Sequence, residues 1–231
     1  MPGNHFYTSP GRQYSHLPVK MQTVVVGGHA RKIGKTSVMT GLIRGLRSFG
    51  WTAVKLTQHS HGAAGLQSVS SGAGSEEDYL LTEEQTAEGR GDTCRYLAAG
   101  ARRALWLRVR QGALKKAVPA LLAALRKDRF VMIESNSILS FLKPDLYLFV
   151  IDSRVCDFKP SARKFVRRAD ALVPLGPLEP PTRPAFDPSG FRNKPVFAVR
   201  RPDDFNPGLC RFVRGKLHLS APSSVKVAMH S

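Results

Sequence analysis

Gly34-Lys35-Thr36, set between a β-branched run and an amphipathic segment, constrains this chain more than any other feature. Upstream, Thr23-Val24-Val25-Val26-Gly27 reads as a buried strand feeding a tight turn. Downstream, Val38, Leu42, Ile43 and Leu46 recur at helical spacing until Gly50 stops the helix. Strand, loop and helix together match the pattern G-x-x-x-x-G-K-[ST], in which backbone amides and a lysine hold phosphate groups. The match is imperfect, because His29 stands at the first glycine and Gly27 and Gly28 come just before it. The essential chemistry survives. Ala30, Arg31, Lys32, Ile33, Gly34, Lys35, Thr36 and Ser37 form the candidate nucleotide-binding loop. In it Lys35 reaches the β and γ oxygens, and the Thr36 hydroxyl offers a Mg²⁺ coordination site.

The rest of the chain supplies a sheet for such a loop. Trp51 to Thr57 reads as a second strand, followed from Gln58 to Gly91 by a Gly- and Ser-rich and then acidic stretch. A helix is expected over Asp92 to Gly100, a strand at Ala104 to Arg110, and a helix over Leu114 to Lys127. Strands follow at Phe130 to Ile133 and Asp145 to Ile151, then a basic helix near Ser161 to Arg168. Ala171 to Pro174 and Pro195 to Val199 read as last strands, separated by a proline-rich surface excursion. Continuous apolar strands alternating with helices predict a mostly parallel sheet inside an α/β three-layer sandwich of the P-loop NTPase fold. The expected organisation is a flexible leader over 1–20, a nucleotide-binding domain over 21–200, and a basic tail over 201–231. A mobile acidic loop (62–90) and the proline-rich excursion (174–194) are expected within the domain.

A triphosphate on this loop needs a carboxylate at the end of a neighbouring strand to hold Mg²⁺. Glu134, after four apolar strand residues, is the first candidate and Asp152, after DLYLFVI, the second. Asp92 opens a helix at the end of a cluster in which seven of the chain's 17 acids fall between Glu76 and Asp92. That placement suits a segment sensing the γ-phosphate. Thr36, Glu134 and Asp92 are thus the expected metal ligands, and Lys35, Asp92 and Glu134 the expected catalytic groups. Strand alternation puts Lys55 and Thr57 on one face, with His59 and His61 emerging at the nucleotide-bearing edge.

Composition narrows the classes. With 42% hydrophobic residues in 231 positions, there is ample material for a core. Cys94, Cys156 and Cys210 form no CxxC pair, which argues against a zinc knuckle or a disulfide framework and fits a reducing, cytoplasmic setting. No apolar run reaches the roughly 18 residues of a membrane span. The formal charge of +18 draws anions, without saying which.

Three blocks resemble the small P-loop proteins of molybdopterin-guanine dinucleotide synthesis. They are Gly34-Lys35-Thr36 with its helix, Val54-Lys55-Leu56-Thr57-Gln58-His59-Ser60-His61, and Gly91-Asp92-Thr93-Cys94-Arg95 leading to Ala99-Gly100-Ala101. Ile133-Glu134 stands where that family has Ile-Glu-Gly, but Ser135-Asn136-Ser137 follows it. The resemblance implies GTP binding, weak hydrolysis, an isologous homodimer and a helper role beside a guanylyl transferase partner. It covers roughly residues 22 to 152. Ser153 to Ser231, with 15 Lys and Arg against six Asp and Glu, has no counterpart in it.

The residues leave ATP and GTP open. Asn193-Lys194-Pro195-Val196 lacks the Asp of a guanine-reading motif. Two other readings remain: a small kinase binding its acceptor near His59, His61 and Arg95, and a basic nucleic-acid module. The last has the charge but no matching motif, with aromatics at only 8%, so nucleic acid is not the expected partner.

Overall fold

The computed structural model describes residues 20–59, 78–176, 193–200 and 206–219. The leader up to residue 19, His61, Glu76, Glu77 and most of the proline-rich excursion lie outside them. Among the described residues seven strands form one sheet: β1 (Gln22–Gly28), β2 (Thr52–His59), β3 (Tyr79–Glu83), β4 (Arg103–Arg110), β5 (Phe130–Glu134), β6 (Leu146–Ile151) and β7 (Ala171–Pro174). Their order is β3-β4-β2-β5-β1-β6-β7. Every pairing is parallel except that of β3 with β4. Pro195 to Val199 continues this edge: Val196 bridges Leu172 of β7 and Val199 bridges Leu175 just after it, both in parallel.

Among the described residues five α-helices cover the sheet: α1 (Lys35–Gly45), α2 (Asp92–Ala98), α3 (Leu114–Leu125), α4 (Pro160–Phe165) and α5 (Pro207–Lys216). The core divides into two clusters, one on each face. Val24, Val26, Ala53, Ala104, Leu148 and Val150 pack beneath α1, α2 and α5. Val25, Val54, Leu105, Leu107, Phe149 and Ile151 pack beneath α3 and α4. This is the three-layer α/β arrangement that uninterrupted apolar strands require. Among the described residues no helix is long and apolar enough to cross a membrane.

Two elements differ from expectation. The acidic stretch contains β3, whose Tyr79 and Leu81 join the α3 side of the core while the acids around it form ion pairs. The basic stretch after residue 200 contains α5. Asn206 caps it by accepting from Leu209 N at 2.9 Å, Pro207 occupies its first turn, and Leu209, Cys210 and Val213 are buried. Its apolar spacing is helical but diluted by Gly208, Gly215 and the three cations Arg211, Arg214 and Lys216.

Candidate phosphate and metal site

The loop from His29 to Gly34 leaves β1 and opens α1. Lys32 and Gly34 take positive φ angles of 56° and 81°, which turn successive amides inward as a concave anion cradle. A side chain at Gly34 would also meet Leu175 at 2.3 Å, so glycine is required there twice over. The helix begins with Val38 N donating to Gly34 O at 3.0 Å. It has no side-chain cap and no acid in its first turn, so no side chain of its own first turn offsets the positive potential of its amides and dipole. Lys35 arches back over the loop and donates to Ala30 O at 2.9 Å. Burial lowers its ammonium to about 8, despite the opposing pull of Glu134.

His29, at the position of the missing glycine, is 2% exposed and ties the loop to the far side of β1. Its Nδ1 lies 2.8 Å from Asp157 O, and its Nε2 accepts from Asp152 N at 3.0 Å. A carbonyl on one side and an amide on the other fix the neutral ring with its proton on Nδ1. The ring also packs against Phe158.

Beside the loop, β2 and β5 are neighbours in a register that sets Lys55 directly against Glu134. Thr36 Oγ1 donates to Glu134 Oε2 at 2.8 Å. Lys55 Nζ lies 2.6 Å from Glu134 Oε1, 2.6 Å from Asp92 Oδ2 and 3.5 Å from Thr36 Oγ1. Burial alone would depress the Lys55 ammonium, but the two carboxylates raise it above its ordinary value. Three expected metal ligands therefore converge, with an ammonium among them. Two carboxylates and a hydroxyl are hard oxygen donors suited to Mg²⁺, an ion that keeps several waters and takes phosphate oxygens as well. Among the described residues no group of three or more His, Cys, Asp and Glu could hold a metal ion, so phosphate would have to complete such a site.

The other expected residues divide. Ser37 accepts from Arg95 Nη2 at 3.3 Å, which joins α2 to the loop. Ala30 and Ile33 are buried in the core, while Arg31 and Lys32 face solvent. His59 turns onto its own strand, its Nε2 3.1 Å from Thr57 Oγ1. Asp152, the second carboxylate considered for Mg²⁺, is engaged elsewhere. Arg154 grips it with bonds of 2.9 and 2.8 Å, which holds its carboxyl below the usual range.

Two participants were missed. Tyr96, fully buried, donates to Glu134 Oε2 at 2.5 Å, and burial beside that carboxylate pushes the phenol well above its ordinary value. Its position four residues after Asp92 puts both on one helix face, a spacing that pointed to it. Asn136 brackets the loop's first residues, accepting from Gly28 N at 2.9 Å and donating to Gly28 O at 2.8 Å. A side chain at Gly27 would come within 2.1 Å of its Oδ1, and one at Gly28 within 2.6 Å of Ile33 Cδ1 and 3.0 Å of Val150 O.

A glycine-bearing loop between β1 and α1 at the carboxyl edge of a mostly parallel sheet stands where three-layer α/β folds bind phosphate groups. Over 79% of its length the chain is similar to LpxK from Aquifex aeolicus, solved in complex with ATP (21% identity, TM-score 0.44), and it spans 56% of that protein. Over 91% it is similar to HypB from Helicobacter pylori, solved in complex with nickel (14% identity, TM-score 0.45, 91% of that chain). No family model matches the chain, and no curated protein does.

Proposed function

We propose that the chain binds a nucleoside triphosphate, GTP or ATP, with Mg²⁺, and hydrolyses it slowly. The observation that carries this reading is the convergence of Lys35, Thr36, Lys55, Asp92 and Glu134 from four separate elements onto one phosphate loop. The amides of residues 32 to 36 and the Lys35 ammonium take the β and γ oxygens, Lys35 exchanging the Ala30 carbonyl for phosphate. Thr36, Glu134 and Asp92 hold Mg²⁺, which neutralises charge on the phosphates. Lys55, released from between the carboxylates, turns its charge to the γ-phosphate, and Asp92 reports that change through α2. Tyr96 keeps Glu134 oriented throughout.

The motif blocks support a helper role resembling that of the molybdopterin-guanine dinucleotide family, with a guanylyl transferase as partner. A small-molecule kinase is the second reading. It is favoured by a polar strand face that runs outward from Lys55, and preference for ATP over GTP would move the weight to it. Replacing Glu134 with Gln tests the shared chemistry. Mg²⁺-dependent release of phosphate from GTP or ATP should fall tenfold or more, while Mg²⁺-free nucleotide binding is kept. Unchanged release would remove Glu134 from the site.

A further inference from the structure

The chain leaving β6 runs back along the phosphate loop and is tied to one of its residues three times. Asp152 N donates to His29 Nε2 at 3.0 Å, His29 Nδ1 donates to Asp157 O at 2.8 Å, and Lys159 N donates to His29 O at 2.9 Å. Phe158 packs on the same ring, with centroids 5.6 Å apart. In the sheet, β5 and β2 lie on one side of β1 and β6 on the other. Residues 152 to 159 therefore form the wall of the loop that stands across β1 from Lys55 and Glu134. Two cations rise from this wall. Arg154 is taken up by Asp152, and Lys159 is not.

Lys159 is fixed at its backbone and unmet at its tip. Its carbonyl accepts from Ala162 N at 2.9 Å and from Arg163 N at 3.0 Å, so the root of the side chain is held where α4 begins. The residue is half-buried, yet among the described residues its ammonium has no hydrogen bond and no ion pair. Burial lowers that ammonium below its ordinary value, and the nearby Arg31 guanidinium pushes the same way while Asp157 opposes it. Lys55 and Glu134 act on it as well, and Lys35 feels its charge in turn. Lys35 has the Ala30 carbonyl and Lys55 has two carboxylates, whereas Lys159 brings a third positive charge to the same loop with no such partner. Packing would be served by the aliphatic stem alone. A half-buried charge beside other cations is costly, and a polyanion arriving among them offsets that cost. The groups acting on Lys159 include Lys55 and Glu134, which the nucleotide reading sets at the γ-phosphate and its metal.

We infer that Lys159 is a further phosphate-binding residue of this site and meets the terminal phosphate of a bound triphosphate from the side opposite Lys55. This role rests on the nucleotide reading above. The full chain is titrated calorimetrically, in Mg²⁺, with a non-hydrolysable GTP or ATP analogue, whichever wild type binds more tightly, and with the matching diphosphate. Lys159→Gln should bind the triphosphate roughly tenfold more weakly and the diphosphate within about twofold of wild type. Lys159→Arg keeps the charge and should bind the triphosphate within about threefold of wild type. Lys35→Ala, by contrast, should lose both nucleotides. A lysine with only a structural role would weaken both nucleotides alike in Lys159→Gln, or neither, and either result overturns the inference. Urea unfolding shows whether the variant is folded; if Lys159→Gln is not, Lys159→Met keeps the apolar stem and carries the same expectations. If wild type binds neither nucleotide, the nucleotide reading fails separately. Inorganic tripolyphosphate is then the probe: weaker binding by Lys159→Gln supports Lys159 as a phosphate ligand, and equal binding or none overturns it.

Discussion

His29 shows how a departure from a motif can be a structural replacement. A glycine at this position would leave Asp157 O and Asp152 N without partners and a gap against Phe158. Two lost hydrogen bonds and a lost buried ring predict that His29→Gly, although it restores the pattern, destabilises the chain by about 2–4 kcal/mol. Urea unfolding measures this; a variant as stable as wild type would reduce His29 to a tolerated substitution. Gly34, Lys35 and Thr36 were legible in the sequence because their chemistry is local. The role of His29 was not, because its partners lie 128 and 123 residues away. Glu134 and Asp152 each end an apolar run, so the sequence could rank Glu134 first but not exclude Asp152. Only the fold shows that Arg154, two residues on, takes up the Asp152 carboxylate.

Among the elements, edge strand β3 depends on ion pairs at both ends. Arg103 of β4 joins Glu83 at 2.7 Å and the buried Asp128 at 2.8 Å, and Asp128 also accepts from Thr52 Oγ1 at 2.8 Å and from Arg102. The Asp128 side chain is 1% exposed, so its charge is held by those partners alone. Asp128→Ala leaves the part-buried Arg103 without one of its two counter-charges and should cost about 3–5 kcal/mol in chemical denaturation. A loss under 1 kcal/mol would show that the cluster is a solvated surface group. These same acids hid β3 from sequence reading. In YLLTE only Tyr79 and Leu81 turn to the core, and the acids on either side made the segment look like a loop. The strands of the sheet centre were legible because burial on both faces leaves an uninterrupted apolar run.

At the scale of the molecule, the sheet order assembles the site. Because β5 lies between β1 and β2, Glu134 stands beside both the loop and Lys55, an adjacency that no stretch of sequence states. The in-order blocks showed that these residues belong together, and the register shows how. The account depends on a buried Lys35 that regains its full charge when phosphate arrives. Free Lys35 sits at about 8, below its ordinary value, so binding phosphate above that pH requires proton uptake and weakens as pH rises. The decisive measurement is a calorimetric titration of Mg²⁺ with GTP and with ATP across this pH range, in wild type and Lys35→Ala. Wild-type affinity should be level well below pH 8 and fall by about tenfold per pH unit well above it. The variant should bind at least tenfold more weakly at neutral pH and show no such fall. Equal binding by the two proteins would contradict the phosphate site itself.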